Sequence, residues 1–150
     1  MAAGKWKVYN TAKEKLGQAI INLPSHTFKC ALFTSASNAN TLTHDELSDL
    51  TNQVANGNGY TTGGVTLSGV SWTNSSGVIT FTAADLQWLA SGGSIVARYA
   101  VIYDDTVSGD PLVCVCQLDT GGNVTAVNGE FLTILISPSG IFTLSGATTD

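Results

Sequence analysis

Two histidines are the side chains of this sequence best suited to acid–base chemistry near neutral pH. His26 and His44 each lie at a segment boundary rich in Thr and Ser. No serine stands in the pattern of a strained nucleophile turn, because Gly92-Gly93-Ser94 lacks the flanking glycine and the strand-to-helix context that such a turn needs. We expect surface or capping roles for both histidines, and we predict no catalytic residue. Turnover lost on mutating either histidine would instead indicate an enzyme.

Three cysteines form the second candidate for chemistry. Cys114 and Cys116 are two apart in an apolar run, so they share one face of a strand, and Cys30 on another strand could approach them. Three thiols could bind a soft metal, but structural zinc sites usually use pairs on a turn with a fourth ligand. Cysteine often serves as a small buried hydrophobe. We therefore expect core packing, with no metal and no disulfide.

Two other patterns could indicate ligand binding. The glycine-rich segment at residues 57–64 has no lysine after its glycines, so it is not a phosphate-binding loop. We expect a sharp helix-to-strand connection in which glycines adopt positive φ and Tyr60 packs against the turn. Four aspartates could hold calcium if two loops met, although solvated loop carboxylates are far more common. We predict no cofactor; the aspartates are Asp104, Asp105, Asp110 and Asp119.

The charge distribution bears on the kind of partner. Five of the six basic residues lie within the first 29 positions, whereas the net charge of the chain is -5. An acidic body is repelled by phosphate backbones, so we expect no direct nucleic-acid binding. A basic N-terminal segment is better suited to an acidic protein partner. No apolar run has the length of a membrane span. We also expect no signal peptide, because polar residues follow the first lysines immediately.

The N-terminal third predicts two helices and one strand. Apolar positions three or four apart predict an amphipathic helix over residues 6–21, ended by Pro24. Residues 27–34 predict a well-buried strand. Thr43 followed by Glu46 has the capping-box spacing, so we expect one short helix near residues 44–56.

The rest of the chain consists of short β-branched and aromatic runs separated by turn residues. We predict a mainly β fold, an antiparallel two-layer β-sandwich of about seven strands, as a single domain over residues 1–150 with an N-terminal helix or arm at residues 1–24. Residues 85–89 remain open between a helical turn and a strand. The predicted strands are residues 65–72, 78–82, 95–103, 112–118, 130–136 and 141–144.

An ordered series of short motifs resembles a class of small structural proteins of tailed-bacteriophage virions. The series comprises the strand at residues 28–35, the run at 52–64, the strand at 97–103 and the segment at 140–144. The resemblance spans roughly residues 8–144. It implies a non-enzymatic virion component whose place in the particle differs between relatives. The odd number of cysteines is consistent with synthesis in the reducing host cytoplasm.

The leading functional hypothesis is therefore a capsid decoration or cement protein that binds the outer shell and bridges capsid subunits. Its candidate docking residues are in the basic, aromatic N-terminal segment: Lys5, Trp6, Lys7 and Tyr9. The expected partner is the major capsid protein or another virion protein, with self-assembly as a homo-oligomer or in a lattice. A ring-forming tail or head-to-tail connector component is the alternative. A carbohydrate-binding module using Trp72 and Trp88 is a second alternative.

Overall fold

A computed structural model describes residues 4–146 and confirms the mainly β class with antiparallel pairing. The described residues contain one α-helix, one 3₁₀ helix (Leu47–Asp49) and twelve strands in four hydrogen-bonded sheets. The elements are β1 (Lys7–Val8), α1 (Asn10–Gly17), β2 (Phe28–Phe33), β3 (Val65–Thr66), β4 (Ser71–Ser75), β5 (Val78–Thr82), β6 (Leu86–Leu89), β7 (Ile95–Ala97), β8 (Tyr99–Asp104), β9 (Leu112–Gln117), β10 (Val124–Ala126), β11 (Phe131–Ile134) and β12 (Phe142–Ser145).

The largest sheet has five strands in the order β1-β9-β8-β2-β3. Its three middle strands are almost entirely buried, which explains why their sequences are continuous apolar runs rather than alternating ones. Burial confirms the predicted buried strand over residues 27–34, observed as β2. All three cysteines lie free and buried in this sheet, as their predicted role in core packing requires.

The predicted strand over residues 95–103 is two strands. β7 pairs with β10, whereas β8 pairs with β2 and β9, so the chain changes sheets at Arg98. The Arg98 backbone N–H donates to Phe33 O at 2.8 Å, and its carbonyl accepts from Leu118 N–H at 2.9 Å. An apolar run cannot reveal such a change of partner, because both strands bury the same kinds of side chain.

The remaining sheets are small: β6 with β11, β7 with β10, and β12-β5-β4. Residues 85–89, which propensity left open, form β6, where Leu86 and Trp88 are buried and Gln87 and Leu89 are exposed. β10 is a strand that the sequence did not predict, because its three residues follow a turn and are too few to show periodicity. The twelve observed strands thus divide the β structure more finely than the seven predicted ones.

The N-terminal helix is shorter than its periodicity predicts. Lys7 and Val8 instead pair with Val115 and Cys114 of β9, and Gly4 N–H donates to Gln117 O at 2.9 Å. Pairing with the edge of the large sheet satisfies these backbone groups, so the helix begins only at Asn10. It ends at Gly17, before Pro24 is reached.

The structure also corrects the prediction of a helix near residues 44–56. Only Leu47–Asp49 is helical, as a 3₁₀ turn, and its capping box is formed by Glu46 and Asp49 rather than by Thr43 and Glu46. Residues 52–54 run beside β2 instead: Thr34 N–H donates to Asn52 O, and Val54 N–H donates to Leu32 O. This arrangement gives backbone groups of Leu32 and Thr34 hydrogen-bond partners that a helix near residues 44–56 would not provide.

The glycine-rich segment is a sharp connection, as predicted, but it does not follow a helix, because residues 52–54 before it run beside β2. Gly57, Gly59, Gly63 and Gly64 all have positive φ. Tyr60 is buried, and its hydroxyl accepts the Leu32 N–H at 3.0 Å. This backbone N–H of β2 thus has a hydrogen-bond partner at a position that β3 does not reach. No helix in the described part of the chain is long and apolar enough to cross a membrane.

Candidate protein-docking site

The four predicted docking residues are placed differently from one another. Lys5 and Lys7 are exposed, and Trp6 is half-buried against the core. Tyr9 is fully buried, and its hydroxyl donates to Ala39 O at 2.5 Å. Burial raises the pKa of the Tyr9 phenol well above its usual range. Tyr9 is therefore a core residue, and its assignment to a docking surface was wrong.

The N-terminal segment is part of the large sheet from Gly4 onwards. Tyr9 N–H donates to Val113 O at 3.0 Å, which continues the β1–β9 pairing as far as the start of the helix. Of the two arrangements expected for residues 1–24, a helix or an arm, residues 4–9 form neither, because backbone hydrogen bonds hold them to β9. The consequence for docking is that Lys5, Trp6 and Lys7 are presented in a fixed geometry.

A groove of about 880 Å³, here called the N-terminal groove, is lined by Gly4, Lys5 and Trp6. Residues of β11 and of the connection to β12 also line it, and Leu135 among them is largely exposed. The lining mixes apolar side chains with Thr and Ser hydroxyls, which suits a protein or peptide surface. These hydroxyl residues are Thr133, Ser137, Ser139 and Thr143.

A second groove of about 630 Å³, here called the helix groove, lies between α1 with its following loop and the sheet β12-β5-β4. Apolar side chains dominate its lining, which is typical of binding clefts of this volume. They include Leu16, Ile21, Leu23, Trp72, Ile79, Phe142 and Leu144. Lys13 is the lining residue that carries a charge.

The two grooves adjoin at β12, because Phe142 and Thr143 line both of them. Phe142 is anchored by aromatic neighbours: its ring centroid lies 5.2 Å from that of Phe81 and 6.1 Å from that of Trp72. Phe81 in turn packs edge-on against Phe28 of the large sheet. The strand between the grooves is therefore held firmly on its inner side.

Charge distinguishes this region from the rest of an acidic chain. No Asp or Glu lines either groove among the described residues, whereas each groove includes one lysine, Lys5 or Lys13. Neither lysine belongs to an ion pair within residues 4–146. Lys15 and Lys29, by contrast, are neutralised by Asp45 and Asp105. The site thus presents locally unopposed positive charge.

His26 lies apart from the grooves, paired with a buried carboxylate. Its Nδ1 is 2.6 Å from Asp104 Oδ2, and Asp104 is the one charged side chain fully buried in the described part of the chain. Asn22 N–H also points to Nδ1 at 3.3 Å. The shorter contact requires a proton between nitrogen and carboxylate, so we assign the Nδ1–H to Asp104. Asp104 is therefore no solvated loop carboxylate, which corrects that expectation.

Asp105 and Asp119 each have a partner of their own, whereas His44 has none among the described residues. Asp105 pairs with Lys29, and Asp119 accepts the Gly121 N–H at 2.8 Å. His44 is half-buried and has no side-chain hydrogen bond within residues 4–146. No group of three His, Cys, Asp or Glu side chains in that range has metal-binding geometry.

The cysteine thiols are shielded rather than reactive. Cys30 and Cys114 face Ile102 of β8 from its two neighbouring strands, and burial raises the pKa of both thiols far above the usual value. Cys116 lines the N-terminal groove and donates to Gly4 O at 3.2 Å. Burial raises its pKa to about 11, against a smaller opposing effect of Lys7. None is poised as a nucleophile.

The two tryptophans proposed for sugar stacking are not both available. Trp88 is buried on the inner face of β6, and Trp72 is half-buried in the helix groove. Stacking of a sugar needs an accessible aromatic ring face, which the buried Trp88 does not offer.

Sequence reasoning missed Lys13, Phe142 and Leu144 as site residues. One signal was present: Phe142 and Leu144 alternate with Thr143 and Ser145, the pattern of a strand with one apolar face. The pattern could not show that this strand lies at a sheet edge between two grooves. No protein-family model matches the chain, and searches of the curated proteins and of the solved structures return no match.

Proposed function

We propose that this protein is a non-enzymatic structural protein of a bacteriophage virion, most specifically a decoration protein that binds the outer capsid and bridges its subunits. The observation that carries the docking role is that backbone pairing with β9 holds the segment of Lys5, Trp6 and Lys7, of which Lys5 and Trp6 line the N-terminal groove. The virion setting comes from the motif series of the sequence and stands as part of the proposal.

The chemistry of this surface suits a protein partner. A half-buried indole supplies apolar contact area at little entropic cost, and the flanking lysines favour a partner surface that carries carboxylates. Groove hydroxyls can satisfy the polar groups of a bound chain. The expected partner is the major capsid protein or another virion protein.

The experiment is binding of purified protein to capsids of the source phage that lack it. Lys5→Gln with Lys7→Gln removes both exposed charges without touching the core, and it should lower occupancy by about tenfold or more. Ser48→Asp with Thr61→Asp changes the net charge equally at exposed positions elsewhere. The proposal fails if the lysine variant coats capsids as well as this control does, or if the protein is absent from density-purified virions.

A ring-forming tail or head-to-tail component is the second candidate, and the edge of β12, unpaired within residues 4–146, favours it. Head-to-tail pairing of edges generates rings when the rotation closes. Copy number in purified virions separates the two roles: on the order of hundreds of copies fits shell decoration, whereas about a dozen or fewer fits a ring.

A further inference from the structure

We propose that the outer edge of β12 is a strand-addition site, which takes an extended segment of a partner protein whose apolar residues alternate with acidic ones. This inference deepens the proposed function, since it names the kind of segment that the partner supplies. It concerns Phe142–Ser145 together with the two grooves that adjoin there.

The backbone of β12 is paired on one side only. β12 is the terminal strand of the sheet β12-β5-β4 and pairs with β5 through Phe142↔Phe81 to Ser145↔Val78. Within residues 4–146, no backbone or side-chain hydrogen bond reaches its outer edge. An open edge of unpaired N–H and C=O groups is a template for another strand.

This edge lacks the features that normally protect exposed edges. β12 carries no charged residue, no proline and no bulge, and Leu144 on it is 55% exposed. Soluble proteins usually place a lysine, a proline or a covering loop on such a strand. Its exposed leucine is explained if a partner covers the strand in the assembled state.

The grooves supply side-chain recognition for the added strand. Successive residues of an extended chain point to opposite faces, so a strand beside β12 directs alternate side chains towards the helix groove. The lining there is apolar, and Phe142 and Leu144 of β12 are the lining residues on the strand next to the added one. Valine, leucine or isoleucine on that face of the partner segment would be buried.

Charge selects an acidic segment. Lys13 in the helix groove and Lys5 in the N-terminal groove have no ion-pair partner in the described part of the chain, and no carboxylate lines either groove. Because the acidic residues of the partner strand alternate with the apolar ones, they face away from the helix groove. Their carboxylates would lie on the Thr143 side of β12, where they can meet the Lys5 ammonium group of the N-terminal groove. Such contacts speed association and exclude basic competitors more than they add affinity.

A second copy of this chain fits the site less well. Two β12 edges paired about a two-fold axis would bring Lys5 and Lys13 of both copies to one seam, and β12 has no acidic side chain to offset them. Like charges at a contact disfavour it. The occupant is therefore a different chain.

Fluorescence anisotropy with a synthetic probe tests the inference in purified full-length protein. The probe is a labelled peptide of alternating leucine and glutamate, and the comparison peptide alternates leucine and lysine. We expect the acidic probe to bind at least about tenfold more tightly. Two further versions carry N-methyl groups on alternate residues, one for each strand edge, and at least one of them should lose binding because it cannot donate to β12.

Matched variants locate the binding site on β12. Leu144→Ser and Lys5→Gln should each weaken probe binding by several-fold, whereas Leu89→Ser, at an exposed leucine on β6, should leave it unchanged. Sedimentation of the unliganded protein adds a check on the occupant. A dimer that Leu144→Ser dissociates would identify a second copy as the occupant and overturn the proposal.

The inference is also overturned if the acidic probe does not bind, if the lysine peptide binds equally, or if both N-methylated versions retain full affinity. These failures are separable from failure of the proposed function. Capsid binding that depends on Lys5 and Lys7, without probe binding, would leave the docking role standing and remove β12 from it. Probe binding that depends on Leu144, without capsid binding, would do the reverse.

Discussion

His26 Nδ1 donates to Asp104 Oδ2 across 2.6 Å, and this contact joins the loop after α1 to the end of β8. Thr106 N–H donates to the other carboxylate oxygen at 3.0 Å, and Thr27 N–H donates to Thr106 Oγ1. Asp105 N–H donates to Thr27 O. The buried carboxylate is therefore the centre of a small network that fixes two loops against each other.

Replacing His26 should destabilise the fold because it leaves a buried carboxylate short of a donor. We expect His26→Ala to lower the free energy of unfolding by about 2 kcal/mol, as is usual for an unsatisfied buried polar group. His44→Ala is the matched control, since His44 makes no side-chain hydrogen bond in the described part of the chain. Urea denaturation measures both, and equal losses for the two variants would contradict the network.

Gly64 is predicted to tolerate no side chain. A Cβ there would lie 1.7 Å from Cys30 O, at φ +79°. Gly77 has nearly the same conformation, φ +85°, but open space around it. Gly77→Ala should therefore lower the free energy of unfolding by only about 1 kcal/mol, the cost of a left-handed backbone conformation for alanine. Gly64→Ala should lower it by more than about 4 kcal/mol or prevent folding. Thermal unfolding of both variants measures this, and similar melting temperatures would refute the close approach.

Asp49 should stabilise the 3₁₀ turn in a pH-dependent way. Hydrogen bonds from the backbone N–H groups of Glu46 and Asp45 lower the pKa of its carboxyl below the ordinary 3.8. A depressed pKa contributes stability that is present above the unfolded pKa and is lost as pH falls through the folded value. Asp49→Asn should therefore melt below wild type at pH 7, and the difference should shrink below pH 3.8. A difference that stays constant down to pH 2 would speak against this account.

The thiols should react slowly in the folded protein. For Cys116, the rise in pKa from 9.0 to about 11 lowers the thiolate population near neutral pH. The reaction with a disulfide reagent should then slow by about 100-fold relative to unfolded protein. All three cysteines should react in denaturant. Cys116→Ala removes the most accessible thiol and should abolish the residual native reaction. Rapid native labelling would show that Gly4 does not cover it.

The sequence by itself determined the class of structure and the strongest local features. Largely apolar runs without alternation predicted the buried strands β2 and β9, because a strand buried on both faces carries apolar side chains on both. Glycines around Tyr60 predicted a sharp connection, because few other residues adopt positive φ. Each of these features depends only on residues within its own short segment.

Only the tertiary structure decided which segments pair, and the site depends on that pairing. Residues 6–9 have helical spacing, but the structure pairs them with the edge of β9. That edge offers backbone hydrogen bonds that a helix over these residues would not make. Asp104 resembled a loop carboxylate until β8 brought it to His26, which is 78 positions away. The grooves at β12 likewise join residues from both ends of the chain. The periodicity of apolar residues indicates which side chains of one segment are buried. Which distant strands pair depends on all the strand edges that are available in the folded chain.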